Sequence, residues 1–316
     1  MKKICLLITF STLLLSCQQN GFISETGQQV QLGSESSVEI FKSIDQAWAE
    51  RNYDQLRTLL HPDGTFTTAD GIVLDSAEKF IEWIESDYQS SVANGQEFSW
   101  KTNFAFAVRV THGEDQDNDD GDYVNARFTS NSTGMIYDEW YYIVDNKLKA
   151  WEQSTQGKPK SAGHLFGEPQ KRVIGDQSSV EVVLTFVEAL NQKDFELAGE
   201  QLDEEVEISF AEGSHVKGKA DVVETFRKSH SNGMYTYRPV WGTATKGKDA
   251  INDNQVVNVF DVMVNDGKEI DVINMMLATH VKAGKIKGVW VHMRDFNPSE
   301  YEQVLTSAKE GTFLSR

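Results

Sequence analysis

SVEIFKSIDQAWAERNYDQLRTLLHPDGTFTTADG, residues 37–71, aligns without a gap on SVEVVLTFVEALNQKDFELAGEQLDEEVEISFAEG, residues 179–213. The offset is 142 residues, and the similarity in pattern continues to residues 84 and 226. Few positions are identical, but the pattern between them agrees better, as in Asn52-Tyr53-Asp54 over Asp194-Phe195-Glu196. A period this long is typical of a duplicated domain, because solenoid repeats are only about 20–50 residues long. The sequence therefore predicts two copies of one domain.

The first residues, MKKICLLITFSTLLLSC, have the pattern of a secretory signal: Lys2 and Lys3 precede an apolar segment too short to span a bilayer as a stable helix. The end of this segment, Leu14-Leu15-Ser16-Cys17, resembles the bacterial lipoprotein signal, in which the Cys becomes the lipidated first residue. The resemblance implies a signal peptide over 1–16, lipidation at Cys17, and a place in the bacterial cell envelope as an outer-membrane lipoprotein, facing the periplasm or the cell surface. The alternative is an ordinary signal peptide with a chance Cys.

Residues 17–36 are polar and rich in Gly and Ser, so they are expected to be a solvated spacer behind the lipid. The chain has two Cys, Cys5 within the signal and Cys17 at the lipid site, which leaves none for a disulfide or a catalytic thiolate. Loss of Lys2 and Lys3 with the signal takes the formal charge from −18 to −20. This charge argues against nucleic-acid partners and against binding to anionic headgroups, so membrane contact is expected only through the lipid anchor.

Helical spacing of apolar residues, followed by strict alternation, predicts the same order of elements in each copy. That order is two helices, a short strand, a third helix and a run of antiparallel strands, which is an α+β arrangement. The predicted domains are residues 37–153 and 179–305, with a short terminal helix to about residue 310. Residues 154–178 contain Gly, Pro and Lys with little apolar periodicity, and they are predicted to be the linker.

This order of elements, with the hairpin HVKAGKIK (280–287) leading into Val-Trp-Val-His (289–292), resembles the NTF2-like superfamily. The SnoaL-like and ketosteroid-isomerase-like members are the most similar, and the resemblance covers about 37–153 and 179–305. It implies an α+β fold of two tandem NTF2-like cone-shaped α+β barrels. In each barrel, helices pack on a curved antiparallel sheet around an apolar pocket.

The isomerase-like members of this superfamily use a Tyr on the first helix, an Asp base after the first strand, and a protonated Asp on a late strand. The Tyr and the neutral acid form an oxyanion hole, which needs both groups. The matching positions here are Ile44, Thr68 and Tyr141 in the first copy, and Phe186, Phe210 and Thr279 in the second. This mechanism is therefore not expected. A one-residue slip, which brings Asp70 or Glu212 nearer the base position, stays open.

The late strands of the second copy carry polar residues on a shared face. Alternation puts Trp290, His292 and Arg294 on one face of the last strand, and Asn274 and His280 on one face of the strand before it. If these faces line the cone, His280, His292 and Arg294 are candidate catalytic residues, since His titrates near neutral pH. Trp290 and Asn274 are then candidates for the ligand pocket. The alternative is that these faces meet solvent while Val, Met and Leu fill the interior.

In the first copy, Trp140, Tyr142 and Trp151 are candidates for an aromatic ligand pocket, with plain packing as the alternative. The acidic run at 114–122 fails the EF-hand register, because Asp120 and Ala126 stand where the loop needs Gly and Glu. It is expected to be a solvated hairpin loop. No motif for a metal or a cofactor is found, and none is expected.

The residues thus favour a lipid-anchored protein with two domains that binds a small apolar molecule or a protein partner without catalysis. One alternative is a SnoaL-like isomerase or cyclase that uses His280 or His292 of the second domain as acid and base. Another is a structural or dimerisation module, in which sheet faces pack together within one chain or between two. A working site is expected in the second copy, where the polar strand residues lie.

Overall fold

The computed structural model describes residues 21–23, 29–111, 121–157, 172–232 and 234–314. The signal predicted at 1–16, the lipid site at Cys17 and most of the acidic run at 114–122 lie outside the described residues. Within those residues, no helix combines the length and apolar character needed to cross a membrane. We refer to the described parts of 21–157 as the first unit and to those of 172–314 as the second unit.

Apart from one additional strand at the start of the first unit and one additional helix at the end of the second, both units follow the same order of helices and strands. The first unit comprises β1 (Gly21–Ile23), β2 (Gln29–Leu32), α1 (Glu35–Ala49), α2 (Tyr53–Leu59), β3 (Leu60–Thr67), β4 (Val73–Leu74), α3 (Ala77–Ala93), β5 (Trp100–Thr111), β6 (Asp122–Ser130), β7 (Ile136–Val144) and β8 (Lys147–Gln156). The second unit comprises β9 (Arg172–Ile174), α4 (Gln177–Asn191), α5 (Phe195–Glu200), β10 (Leu202–Ser209), β11 (His215–Lys217), α6 (Lys219–Asn232), β12 (Met234–Gly247), β13 (Asp253–Asn265), β14 (Ile270–Lys282), β15 (Lys285–Arg294) and α7 (Pro298–Lys309).

In each unit, helices pack against a largely antiparallel sheet, so the predicted α+β class is confirmed. The first unit has the strand order β2-β5-β6-β7-β8, and the second has β9-β12-β13-β14-β15. One further strand pairs in parallel with the last strand of each sheet: β3 pairs with β8 in the first unit, and β10 pairs with β15 in the second. Each unit has its own apolar core between helices and sheet.

The first helix of each unit shows why the repeat folds twice. In α1, Phe41, Ile44 and Trp48 lie one helical turn apart on one face and are buried. The aligned positions of α4 are Val183, Phe186 and Leu190, and they are buried too. Since both helices present an apolar stripe of the same spacing, both dock on the inner face of a sheet.

The two sheets join at their β8 and β15 edges in an antiparallel contact, with Thr155 opposite Met293. Two backbone hydrogen bonds flank this contact. The Gly157 amide donates to the Ala211 carbonyl at 2.7 Å, and the Asp295 amide donates to the Ala69 carbonyl at 2.9 Å. Ala69 and Ala211 are aligned positions of the repeat, so the two units exchange the same bond with each other.

Two segments expected to be connections contain ordered strands. β2 lies within the predicted spacer, pairs with β5, and buries Val30 to 6% exposure. β9 lies within the predicted linker and pairs with the edge of β12. Short apolar stretches beside an open sheet edge gain backbone hydrogen bonds by pairing with it. Composition alone does not predict such pairing.

Candidate functional site

The polar face predicted on the late strands of the second unit does not line a cone. Val289 and Val291 point into the apolar core of the second unit, so Trp290, His292 and Arg294 point the opposite way, towards the first unit. Trp290 packs in an apolar cluster with Phe104 and Phe106 of the first unit, among others. The interpretation that these residues line the cone is wrong, and so is the alternative that they meet solvent. The face is covered by the other sheet.

His292 is fully buried in this contact, at 0% exposure. Arg127 Nη2 of the first unit lies 3.0 Å from His292 Nε2. A guanidinium only donates, so Nε2 accepts and the ring proton sits on Nδ1, which has no hydrogen-bond partner among the described residues. Burial and the positive charge of Arg127 hold the pKa of His292 well below its ordinary value. His292 is thus a neutral contact residue between the units, with Arg127 paired to buried Asp138 at 2.8 Å.

His280 lies apart from the other polar candidates of the second unit, while Asn274 and Arg294 are cross-strand partners. His280 Nε2 lies 2.7 Å from Asp253 Oδ1 on the neighbouring strand, towards the other end of β14 from Asn274. Arg294 lies 3.2 Å from Glu300 of α7. The histidine cluster expected from alternation therefore does not form, because His280 sits opposite Gly288 whereas His292 sits opposite Met276.

A cavity of about 520 Å³ lies between the two units. Asn274 and Arg294 line it from the second unit, and Trp140 and Tyr142 from the first. The ring of Trp140 meets Trp241 edge to face, with centroids 4.8 Å apart. With Trp151, five predicted site residues line this cavity, in a space that one unit alone does not form.

Trp151 contributes to the lining of this cavity, but its ring lies on the opposite face of the sheet from Trp140 and Tyr142. Trp151 sits directly across from Tyr141 on β7, and cross-strand partners point to the same side. Its ring is fully buried in the first-unit core, against Trp48 and Phe80. The predicted aromatic pocket therefore divides into two places.

The inner face of the first unit surrounds a second cavity, of about 370 Å³. This volume lies within the range of small-molecule sites, about 300–1,000 Å³. We call it the first-unit cavity. Its walls come from α1, the end of α3, and the β5–β8 sheet, and exposed residues such as Gln96 and Ser132 form its rim. Its aromatic lining residues are Trp48, Trp83, Phe98, Trp100, Phe128, Tyr137 and Tyr141.

Glu139 lies at the inner end of this cavity and is 5% exposed. The Tyr141 hydroxyl and Trp151 Nε1 (2.9 Å) both donate to its Oε2, and Gln153 Nε2 donates to Oε1 at 2.8 Å. Burial raises the pKa of Glu139 to about 7, against the effect of these three donors. A carboxyl group that changes charge near neutral pH, inside an aromatic cavity, is a typical functional group. It makes the first-unit cavity the candidate functional site.

Two further carboxylates stand nearer the mouth. Asp45 of α1 accepts hydrogen bonds from Trp100 Nε1 at 2.8 Å and from the Thr102 hydroxyl at 3.0 Å. Burial raises the pKa of Asp45 in spite of these donors, and desolvation also raises the pKa of Asp87 on α3. The cavity therefore has negative potential along its length.

The second unit replaces this polar set with apolar residues. Leu277 faces Val291 there, as Glu139 faces Gln153 in the first unit. Val187 and Leu190 stand where the first unit has Asp45 and Trp48, and all four apolar residues are buried in the second core. The geometry thus favours the first unit, and not the second, as the place for a site.

Sequence reasoning missed Glu139, although a signal for it was present. Glu139 and Tyr141 alternate with Trp140 and Tyr142 on β7, so the strand has a polar and aromatic residue on both faces. The pairing of Glu139 with Gln153 on β8 is needed to recognise Glu139 as a site residue, and the sequence of β7 alone does not give that pairing. Among the described residues, no group of three His, Cys, Asp or Glu side chains is placed to hold a metal ion.

No family model matches the chain, and no curated protein does. Solved structures similar to part of it include an NTF2-like protein of unknown function from Cytophaga hutchinsonii, 22% identical over 36% of this chain and 88% of that one, with a TM-score of 0.29. A Mycobacterium tuberculosis LEH-like epoxide hydrolase is 14% identical over 44% of this chain and 97% of that one, with a TM-score of 0.33. A second Mycobacterium tuberculosis protein, solved with estradiol-17β-hemisuccinate, is 15% identical over 36% and 92%, with a TM-score of 0.31. The similarity is partial and at low identity, and it assigns no activity to this chain.

Proposed function

We propose that this chain is a binding protein of two tandem NTF2-like domains, and that the first-unit cavity holds a small, largely apolar molecule. The observation that carries the proposal is the difference between the two interiors. The first unit leaves a cavity of about 370 Å³ with Glu139 at its inner end, while the second unit fills the corresponding positions with Leu277, Val291 and their neighbours. At these positions, the first unit leaves room for a ligand and the second unit does not.

The cavity wall contains an unmet hydrogen-bonding group, which supports an occupant. Trp48 is 7% exposed and lines the cavity, and its Nε1 has no hydrogen-bond partner among the described residues. An N–H left unpaired in a buried place costs about 1–3 kcal/mol. A ligand with an acceptor atom near Trp48 relieves that cost.

The test is native mass spectrometry of the chain from Gln18 onward, purified from its own host. This start keeps β2, which pairs with β5. We expect a co-purifying small molecule in the wild type. It should be lost in Met135→Trp, which replaces a linear side chain of the cavity lining with a larger indole ring. Met234→Trp, at a 41% exposed position of the second unit, is the matched control and keeps the ligand. An empty wild type that also binds none of a panel of aromatic probes contradicts the proposal.

A general-base enzyme is the second candidate function, and one observation favours it. The pKa of Glu139 is raised to about 7, which suits proton abstraction near neutral pH. The histidine mechanism lacks comparable support, since His292 is fully buried between the units. His280 is paired with Asp253 and is in the lining of neither cavity. The test is deuterium uptake from D₂O at the acidic carbon of 2-tetralone. Exchange above the buffer rate that disappears in Glu139→Gln supports an enzyme, and exchange at the buffer rate argues against it.

The lipid anchor at Cys17 and a place in the outer membrane belong to the same proposal. They rest on the signal-like first residues and on the Leu14-Leu15-Ser16-Cys17 pattern. With such an anchor, the first-unit cavity would take up its ligand close to the envelope surface, and the chain would need no membrane-binding face of its own.

A further inference from the structure

Among the residues that the structure describes, the charged groups lining the first-unit cavity are all acidic. This described lining contains four carboxylates, Asp45, Asp87, Glu97 and Glu139, and no Lys, Arg or His. An apolar ligand without charge would gain nothing from this arrangement and would have to tolerate buried negative charge. The lining therefore selects among ligands by charge as well as by shape.

The walls between these carboxylates are aromatic faces and edges. Trp48 is the centre of the group, with ring centroids of Trp83 and Trp100 each 6.1 Å away and both rings nearly perpendicular to it. All three residues line the cavity. Organic cations bind to the faces of aromatic rings.

Glu139 has capacity for one more donor. From the described part of the chain its two oxygens accept three hydrogen bonds, two on Oε2 and one on Oε1, whereas a carboxylate offers about four lone-pair positions. A protonated amine supplies both the missing donor and the compensating positive charge. A metal ion fits less well, because no three described carboxylates are close enough together to ligate one.

From these observations we infer that the ligand of the first-unit cavity is an aromatic or alicyclic amine in its protonated form, with the ammonium directed to Glu139 and Asp45 and the ring system among Trp48, Trp83 and Trp100. An oxygen acceptor on the ring system completes the fit by taking the free Trp48 N–H. This inference rests on the proposed binding function and specifies its ligand class.

The test compares three probes that share one ring system: 2-(1-naphthyl)ethylamine, 2-(1-naphthyl)ethanol and the acetate probe, which is the anion of 1-naphthaleneacetic acid. Binding to the chain from Gln18 onward is measured by isothermal titration calorimetry. We expect the amine to bind at least tenfold more tightly than the alcohol, and the acetate to bind least. An alcohol that binds as tightly as the amine overturns the cationic ligand class but leaves the binding function standing. Failure of all three probes counts against the binding function itself.

Variants then locate the charge recognition. Glu139→Gln and Asp45→Asn are each expected to weaken the amine at least fivefold and to change the affinity for the alcohol less than twofold. The control is Glu39→Gln, which removes the same charge from an exposed position of α1 outside the cavity lining. Unchanged amine affinity in both cavity variants overturns the inference. The three-probe comparison on the wild type needs no variant, so it decides the ligand class even if a variant does not fold.

Discussion

Replacing Glu139 with Gln separates the ionisation of this group from its hydrogen bonds. The Gln carbonyl oxygen takes the place of Oε2 and accepts from Tyr141 and Trp151, as the carboxylate does. Its amide nitrogen then faces Gln153, whose own amide turns over to present oxygen instead of nitrogen. Every hydrogen bond of the buried network is kept in this way, and only the charge is lost.

The expected magnitude follows from the pKa. Burial raises the pKa of Glu139 from 4.5 to about 7 in the folded chain, so between these values the folded state holds a proton that the unfolded state has released. The free energy of unfolding therefore falls as pH rises through this window, and it is fully restored below pH 4.5. At about 1.36 kcal/mol for each pH unit, the ionisable group lowers stability at pH 7.5 by roughly 3 kcal/mol relative to pH 4.5.

The assay is urea unfolding of wild type and Glu139→Gln from pH 4.5 to 8, followed by tryptophan fluorescence. The difference in unfolding free energy between the two proteins should increase by about 3 kcal/mol in favour of the variant as pH rises, because all other groups cancel. The exposed variant Glu39→Gln serves as the control and should show no such trend. A difference between Glu139→Gln and wild type that stays constant with pH refutes the reasoning.

Three other predictions follow from the contact between the two units and from the proposed lipid anchor. Arg127→Met or Asp138→Leu alone leaves a buried charge without its partner and should lower the free energy of unfolding by about 3–5 kcal/mol. The double variant should lose less than the sum of the two single losses. Additive losses in urea unfolding would contradict the pairing. His292 stays neutral when folded, so the unfolded state alone gains a proton as pH falls below about 6.5, and stability declines there. His292→Gln should flatten that part of the pH profile, and an unchanged slope would count against the buried neutral ring. Cys17→Ser should move the chain from the membrane fraction to the soluble periplasmic fraction, and a variant that stays in the membrane would exclude lipid anchoring at this residue.

The α+β class follows from local information. In α1, Phe41, Ile44 and Trp48 recur at helical spacing, and the aligned residues of α4 do the same, so helices docked on a sheet are readable from one sequence. Alternation on β15 also correctly places Trp290 and His292 on the face opposite Val291. Periodicity of this kind depends only on neighbours along the chain.

The candidate site depends on information that periodicity lacks. Alternation says that Trp290 and Val291 point in opposite directions, but it does not say which direction is the core and which is another sheet. Likewise, Trp151 lies on the same face of the sheet as Glu139, and not on that of Trp140, because of the register between β7 and β8. Register is a property of two strands. A buried carboxylate such as Glu139 also needs hydrogen-bond partners, and two of its three donors, Trp151 and Gln153, lie on the neighbouring strand, so its own position reads as an ordinary exposed charge.

The junction between β8 and β15 has a consequence for symmetry. Trp151 and Val289 occupy equivalent places, since they pair with the aligned residues Phe66 and Ile208, and counting on from them makes Thr155 and Met293 equivalent as well. These two residues face each other, so an approximate two-fold axis passes through the junction.

Two separate copies of one chain around such an axis would have to present identical faces, and every change would appear twice. Covalent linkage removes that constraint. His292 therefore stands where the first unit has Ser154, and Met276 stands where it has Asp138. The two linked units are therefore free to differ, so that Leu277 and Val291 are buried in an apolar core in one unit while the equivalent residues, Glu139 and Gln153, line a cavity in the other.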